Sequence, residues 1–132
     1  NPPLLAKNGL VVALTDFLQP LQQHYKLSLH ISGEGKHRFD PEIERQVFRA
    51  VQDSVQHAIK HAGFSHLSLI LRITPKMVAA LVKDDGEGFD SDHIKPGAGL
   101  KGIESRMQIV NGKFRVKSRP NGGTAVLIIV KL

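Results

Sequence analysis

The chain has no cysteine, which excludes a disulfide scaffold and any thiolate metal site and suits a reducing compartment. Tryptophan is also missing, and aromatic residues make up only 5% of the 132 positions, so the core has to be aliphatic. No apolar stretch approaches the roughly 20 residues that a membrane span needs, and no signal-peptide pattern opens the sequence. The first residue is Asn1 rather than Met; the chain reads as a fragment, with any membrane anchor upstream of it. A basic stripe interleaved with aromatics is missing too. The basic residues are scattered along the sequence from Lys7 to Lys131, so nucleic acid is not an expected partner. A phosphate-bearing ligand accounts for the formal charge of +6 equally well.

What is present is enough apolar material for one core, 41% of the residues. Leu10, Val11, Leu14, Phe17, Leu18 and Leu21 recur at helical spacing over 9–24, with Pro20 kinking or ending the helix. Leu27, Leu29 and Ile31 alternate as a strand, and 33–38 read as a loop. Asp40-Pro41 is a helix start, and Gly63 stops that helix after Ala62. Residues 67–71 and 77–83 form a hairpin around Thr74-Pro75-Lys76. After a glycine-rich stretch over 84–98, a short helix covers 100–110. Strands at 114–117 and 124–131 flank the turn Arg119-Pro120-Asn121-Gly122-Gly123. Helices mix with antiparallel hairpins, and no regular βαβ alternation is present. The expected class is α+β: a two-layer α/β sandwich, a mixed sheet covered on one face by helices. The first eight residues read as a connector.

Two segments carry chemistry. In the helix, Ile43, Val47, Val51, Val55, Ile59 and Ala62 form the stripe to be buried. Asp53, His57 and Lys60 lie roughly opposite, with His61 at the margin. Such a face is ordinarily solvated. A carboxylate, two imidazoles and an ammonium within two turns also suit a metal–phosphate group. His57 and His61, at i and i+4, could hold zinc, but the sequence offers no third ligand. The second segment is DDGEGFD at 84–90. It follows the apolar run 78–82, a buried strand. Asp-Gly is the commonest turn signal. A strand followed by carboxylates, Gly86 and Gly88 also brings an acceptor to a flat polar ligand.

Three segments in this order resemble the catalytic ATP-binding domain of bacterial two-component sensor histidine kinases, within the superfamily shared with gyrase, Hsp90 and MutL. QDSVQHAIKHA at 52–62 is similar to the N box, DDGEGFD at 84–90 to the G1 box, and GAGLKGIESR at 97–106 to the G2 box. The closing hairpin resembles the family's last one. The opening PPLLAKNGLVVAL resembles the junction after the dimerisation helices in the subfamily paired with NarL-type response regulators. The resemblance implies a Bergerat-type fold, residues 1–8 as a connector from an upstream dimerisation domain, and 9–132 as the ATP-binding catalytic domain. It implies ATP with Mg²⁺ as cofactors. The γ-phosphoryl would go to a histidine of the dimerisation domain, then to a NarL-type regulator. Homodimerisation would come only through the upstream helices, and the domain would be cytoplasmic.

The site residues follow from the same resemblance. Asp85 would accept from the adenine amino group, with Gly86 and Gly88 letting the backbone pass the base. Gly97 and Gly99 would flank a lid over 91–98. Leu100 would open a helix whose amides face phosphate, and Thr124 would place a hydroxyl near the base. Lys60 and His61 would contact phosphate. Asp53 stands where the family carries the Glu that activates or orients the reacting groups. His57 stands where it carries the Asn that ligates Mg²⁺. A neutral imidazole is a poor ligand for that ion; the other role open to His57 is to donate to phosphate. The alternatives are a degenerate nucleotide-binding regulatory module without transfer activity, and a serine kinase of the anti-sigma-factor type. The fragment alone should not autophosphorylate.

Overall fold

The computed structural model describes residues 3–89 and 100–132. Among them, four helices and five strands follow one another as α1 (Pro3–Asn8), α2 (Leu10–Leu21), β1 (Leu27–Gly33), α3 (Pro41–His61), β2 (Leu67–Thr74), β3 (Met77–Asp84), α4 (Lys101–Ile109), β4 (Lys113–Ser118) and β5 (Thr124–Lys131). The strands make one sheet in the order β1-β2-β3-β5-β4. β1 and β2 are parallel and the remaining neighbours antiparallel. Parallel neighbours need a crossover, and α3 supplies it. The two-layer α+β architecture follows.

α3 is the framework element. The Asp40 carboxylate accepts from the amides of Glu42 at 2.8 Å and Ile43 at 3.3 Å, and Pro41 opens the helix. Its Val47, Val51 and Val55 are fully buried, each contributing about 1.5–3 kcal/mol by leaving water. They meet a sheet face in strict alternation: Leu67, Leu69, Leu71 and Ile73 of β2, Val78, Ala80 and Val82 of β3, Val126, Ile128 and Val130 of β5. The cross-strand register, Leu69 with Val82 and Val82 with Val126, puts these side chains on the helix-covered side.

The N-terminal segment has a regular structure of its own. Residues 3–8 are a helix packed into the domain, with Leu5 2% exposed. Arg38 holds it there. Its guanidinium donates to the carbonyls of Lys7 and Ala6 at 3.2 and 3.0 Å and forks onto both oxygens of Glu44 at 2.9 Å. Glu44 is buried in the first turn of α3. The buried carboxylate thus has a bidentate partner, and the last carbonyls of α1 have donors. α2 ends at Leu21, one residue past Pro20.

Adjacent residues on β2 test the two faces. Leu69→Ala is expected to lower stability by about 2–5 kcal/mol, a core cavity. Ile70→Ala, at a position 38% exposed on the other face, should stay within about 0.5 kcal/mol of wild type. Urea denaturation of both variants measures the difference, and equal losses would contradict the assignment of faces.

Candidate functional site

At the end of β3 the alternation delivers a carboxylate to the core face. Val78, Ala80, Val82 and Asp84 share that side, and Asp84 is only 7% exposed. The chain then turns through Asp85, Gly86, Glu87 and Gly88 between two walls. On one side the Glu87 amide donates to the Ala62 carbonyl at the end of α3, at 2.7 Å. On the other, the amides of Asn121 and Gly123 in the β4–β5 turn donate to the carbonyls of Glu87 and Gly86, at 2.6 and 3.1 Å. A Cβ at Gly86 would collide with the Ala62 carbonyl oxygen, and one at Gly88 with that of Arg119; Gly88 also has φ 65°. Both glycines are therefore dictated by close backbone approach and, at Gly88, by handedness.

Asp84, missed by the sequence reading, lines the space between α3 and the sheet. Its Oδ1 accepts from the Gly86 amide at 2.8 Å. Burial pushes this carboxyl above the ordinary aspartate range, while the amides of Gly86 and Thr124 pull the other way. Asp85, the expected acceptor, is engaged elsewhere. Its Oδ1 accepts from the amides of Ser65 and His66 at 2.8 and 2.9 Å and braces the α3–β2 loop. These hydrogen bonds, that from His66 first, hold Asp85 below the usual carboxylate value. The physical reason for the swap is the period of two: consecutive strand residues face opposite sides. The signal was available in the alternation of 78, 80 and 82, carried two residues further.

Two cavities meet at Asp84 and Thr124. The larger, about 440 Å³, opens at the β4–β5 turn and is lined by Lys83, Ser118, Arg119 and Gly123 among others. The smaller, about 40 Å³, is lined by Ser54, His57, Ala58, His61 and Ala62 of α3, Val82 and Asp84 of β3, Gly88, Phe89, and Thr124 and Val126 of β5. Size favours the first and chemistry the second, because only the second joins a buried carboxylate, two imidazoles and apolar walls. His57 and His61 lie one helical turn apart with ring centroids 4.9 Å from each other. The Thr124 hydroxyl is 2.8 Å from that of Ser118, which accepts from the Phe89 amide at 2.8 Å.

Other expected residues are placed differently. Lys60 is exposed and does not line the cavity. Asp53 accepts from Arg106 Nε at 3.0 Å, tying α3 to α4. Leu100 is buried in the core just before α4. Gly97, Gly99 and the lid expected over 91–98 lie outside the described residues. Among the described residues, no group of three or more His, Cys, Asp or Glu side chains could hold a metal ion, and His57 with His61 makes only a pair. The set fits Mg²⁺ no better, since that ion takes oxygen donors and these are imidazoles.

Residues 42–132 match the family model described as histidine kinase-, DNA gyrase B-, and HSP90-like ATPase. The chain belongs to this ATPase family. Membership carries ATP binding with it, and the cavity between α3 and the turn after β3 is the place where this member of the family gathers its polar groups. The chain is 29% identical, over 126 residues, to the signal transduction histidine-protein kinase/phosphatase DegS of Brevibacillus brevis. The alignment covers 94% of the chain but 33% of DegS, so the chain spans about a third of that curated relative. The fold is shared with the Erythrobacter litoralis EL346 blue-light activated histidine kinase, with TM-score 0.70, 18% identity, 90% of this chain and 40% of that one covered. It is shared as well with the Acinetobacter baumannii histidine kinase AdeS, with TM-score 0.70, 14% identity, and 97% and 72% covered.

The two adjacent aspartates make a discriminating pair. Asp84→Asn is expected to weaken ADP binding by about one to two decades, the loss of a charged acceptor for a buried donor, about 1.5–3 kcal/mol. Asp85→Asn should leave ADP affinity within about twofold, because that carboxylate serves the α3–β2 loop. Calorimetric titration of both folded variants decides; the opposite ranking would return the role to Asp85.

Proposed function

We propose that this chain is the ATP-binding catalytic domain of a sensor histidine kinase, with the base seated between α3 and the turn after β3. The observation that carries the reading is the buried Asp84 carboxylate, held by the Gly86 amide on the floor of a cavity with apolar walls. A carboxylate there accepts from the exocyclic amino group of adenine; guanine offers a carbonyl at that position. Val82, Val126, Phe89, Ala58 and Ala62 provide the apolar contact for the ring, and the Ser118–Thr124 hydroxyl pair borders it. His57 and His61 extend along α3 from the base pocket, where imidazoles donate to phosphate oxygens. Gly97, Gly99 and the start of α4 are assigned to the phosphate side.

In the full-length protein the γ-phosphoryl passes to a histidine on a dimerisation domain and then to an aspartate on a NarL-type regulator. The domain's share of that reaction is positioning and charge neutralisation. Asp53, in its ion pair with Arg106, keeps α4 registered on α3 and is the carboxylate assigned to orienting the reacting groups. ATP brings Mg²⁺ as its counter-ion. Because the donors of α3 do not suit that ion, phosphate oxygens and water remain its ligands. A cytoplasmic site and a homodimer formed through upstream helices complete the proposal. The relatives are histidine kinases, which favours transfer over the degenerate and anti-sigma-factor alternatives. Incubating the full-length protein with radiolabelled ATP is expected to give an acid-labile phosphohistidine outside this domain. ATP binding without any transfer would reduce the domain to a regulatory module.

The pH dependence of binding follows from Asp84. Its folded value is raised, so the folded domain holds this proton more tightly than the unfolded chain does. Ionising it costs stability as pH rises through the interval between the ordinary and the raised value. Adenine recognition needs the ionised form. The ratio of wild-type to Asp84→Asn ADP affinity should therefore be largest near neutral pH and fall as pH drops through the raised Asp84 value. Titrations at several pH values measure the ratio; a constant ratio would contradict an ionised acceptor.

Mg²⁺ coupling tests His57. Wild-type protein is expected to gain less ATP affinity from Mg²⁺ than His57→Asn gains, since Asn presents an oxygen at the same helical position. Titrations with the metal and with chelator measure both couplings. Equal values would remove His57 from the metal question.

A further inference from the structure

The cations that look scattered in sequence converge on one surface. Alternation puts the core side chains of the sheet against the helices, so the intervening positions form an open face. On that face stand Arg72 of β2, Lys83 of β3, Lys131 of β5, and Lys113, Arg115 and Lys117 of β4, all exposed. None of the outward positions on the five strands is Asp or Glu. The chain has 18 Lys and Arg against 12 Asp and Glu, a formal excess of six. The six cations of this face equal that excess, which leaves the rest of the chain balanced at twelve of each sign.

The register spreads the charge over the whole surface. Lys83 and Lys117 flank Ala125, Arg115 ends the row of Ile70, Leu81 and Leu127, and Arg72 and Lys113 close the row of Ala79 and Ile129. Lysines on an edge strand deter unwanted strand pairing, which accounts for β4, an edge of the sheet. It does not account for Arg72, Lys83 and Lys131, which lie on interior strands. Those three extend the charge inward around partly exposed Ile70, Leu81, Leu127 and Ile129.

We infer that this open face is a docking surface for an anionic phospholipid bilayer. The chemistry separates the occupants. Specific protein interfaces favour aromatics and arginine and are depleted in lysine; four of these six cations are lysines, and the outward positions contain no Phe, Tyr or Trp, with His30 of β1 their one imidazole. Single-stranded nucleic acid needs aromatic stacking platforms, and a duplex is read by elements that enter a groove. An open sheet face of lysine and arginine, with partly exposed aliphatic side chains among them, matches a surface of anionic headgroups. A second copy of the chain would meet like charge. The bilayer would lie against the side of the sheet opposite α3, so the cavity holding Asp84, His57 and His61 stays open to nucleotide.

The test is co-sedimentation at low ionic strength with vesicles of phosphatidylcholine alone and of phosphatidylcholine with about one third phosphatidylglycerol. The protein is expected to partition onto the second and not the first. Two triple variants, K113E/R115E/K117E and R72E/K83E/K131E, should each lose about a hundredfold or more of that partition. The variant K7E/Q19E/Q23E/K36E makes the same change in net charge at exposed positions off the face and should keep most of it. ADP titration and thermal denaturation confirm that each variant is folded, and they separate failure here from failure of the nucleotide reading. Equal losses in all three variants would show a response to net charge alone and overturn the proposal. So would binding to both vesicle types alike, or no binding to either. Retention of duplex DNA or polyglutamate by a protein that ignores the vesicles would assign the face to another partner and overturn it as well.

Discussion

The packing of α3 across one face of the sheet is the constraint from which the rest of the domain takes its position. The helix buries Val47, Val51 and Val55 on the side of the sheet where it packs against β3 and β5. Its two ends and its flank are then used for other work. The first turn holds Glu44, which through Arg38 anchors α1. The middle holds Asp53, which through Arg106 anchors α4. The last turn holds His57, His61 and the Ala62 carbonyl, which border the cavity and seat the glycine turn. A shift of α3 along the sheet would disturb all three at once, because each is a directional hydrogen bond or ion pair on a rigid rod.

Polar groups inside the domain follow the same economy. Glu44 is buried and fully paired by a guanidinium that keeps part of its surface in water. Asp84 is buried with amide partners, and its proton affinity is raised as burial dictates. The first is structural and satisfied. The second sits at a cavity, where an arriving donor would find an acceptor already oriented. The separation of roles between two neighbouring aspartates is set by which side of a strand each one faces.

The two faces of the sheet divide the surface chemistry. The helix-covered face ends in the cavity with its carboxylate and imidazoles. The open face carries six cations and no acid. The candidate site and the basic face thus lie on opposite sides of the sheet, and the larger cavity at the β4–β5 turn, lined by Asp84 and Thr124 and also by Lys83, Lys117 and Ala125, joins their margins.

The sequence by itself determined eight of the nine described elements, the fold class and the family. The α3 stripe, the Asp40 cap, the Thr74-Pro75-Lys76 hairpin and the two glycines of the turn are local signals, written within a few residues of where they act. It did not single out Asp84 from Asp85. Both precede Gly86, and only the pairing register of β3 shows which one shares a side with Val82. Nor did it reveal that residues 3–8 pack as a helix, because the group that holds them, Arg38, lies some thirty residues away. Only tertiary structure tied Asp53 to Arg106 and left Lys60 in solvent. It alone gathered cations from four strands onto one face, since residues distant in sequence become neighbours through strand pairing and alternation.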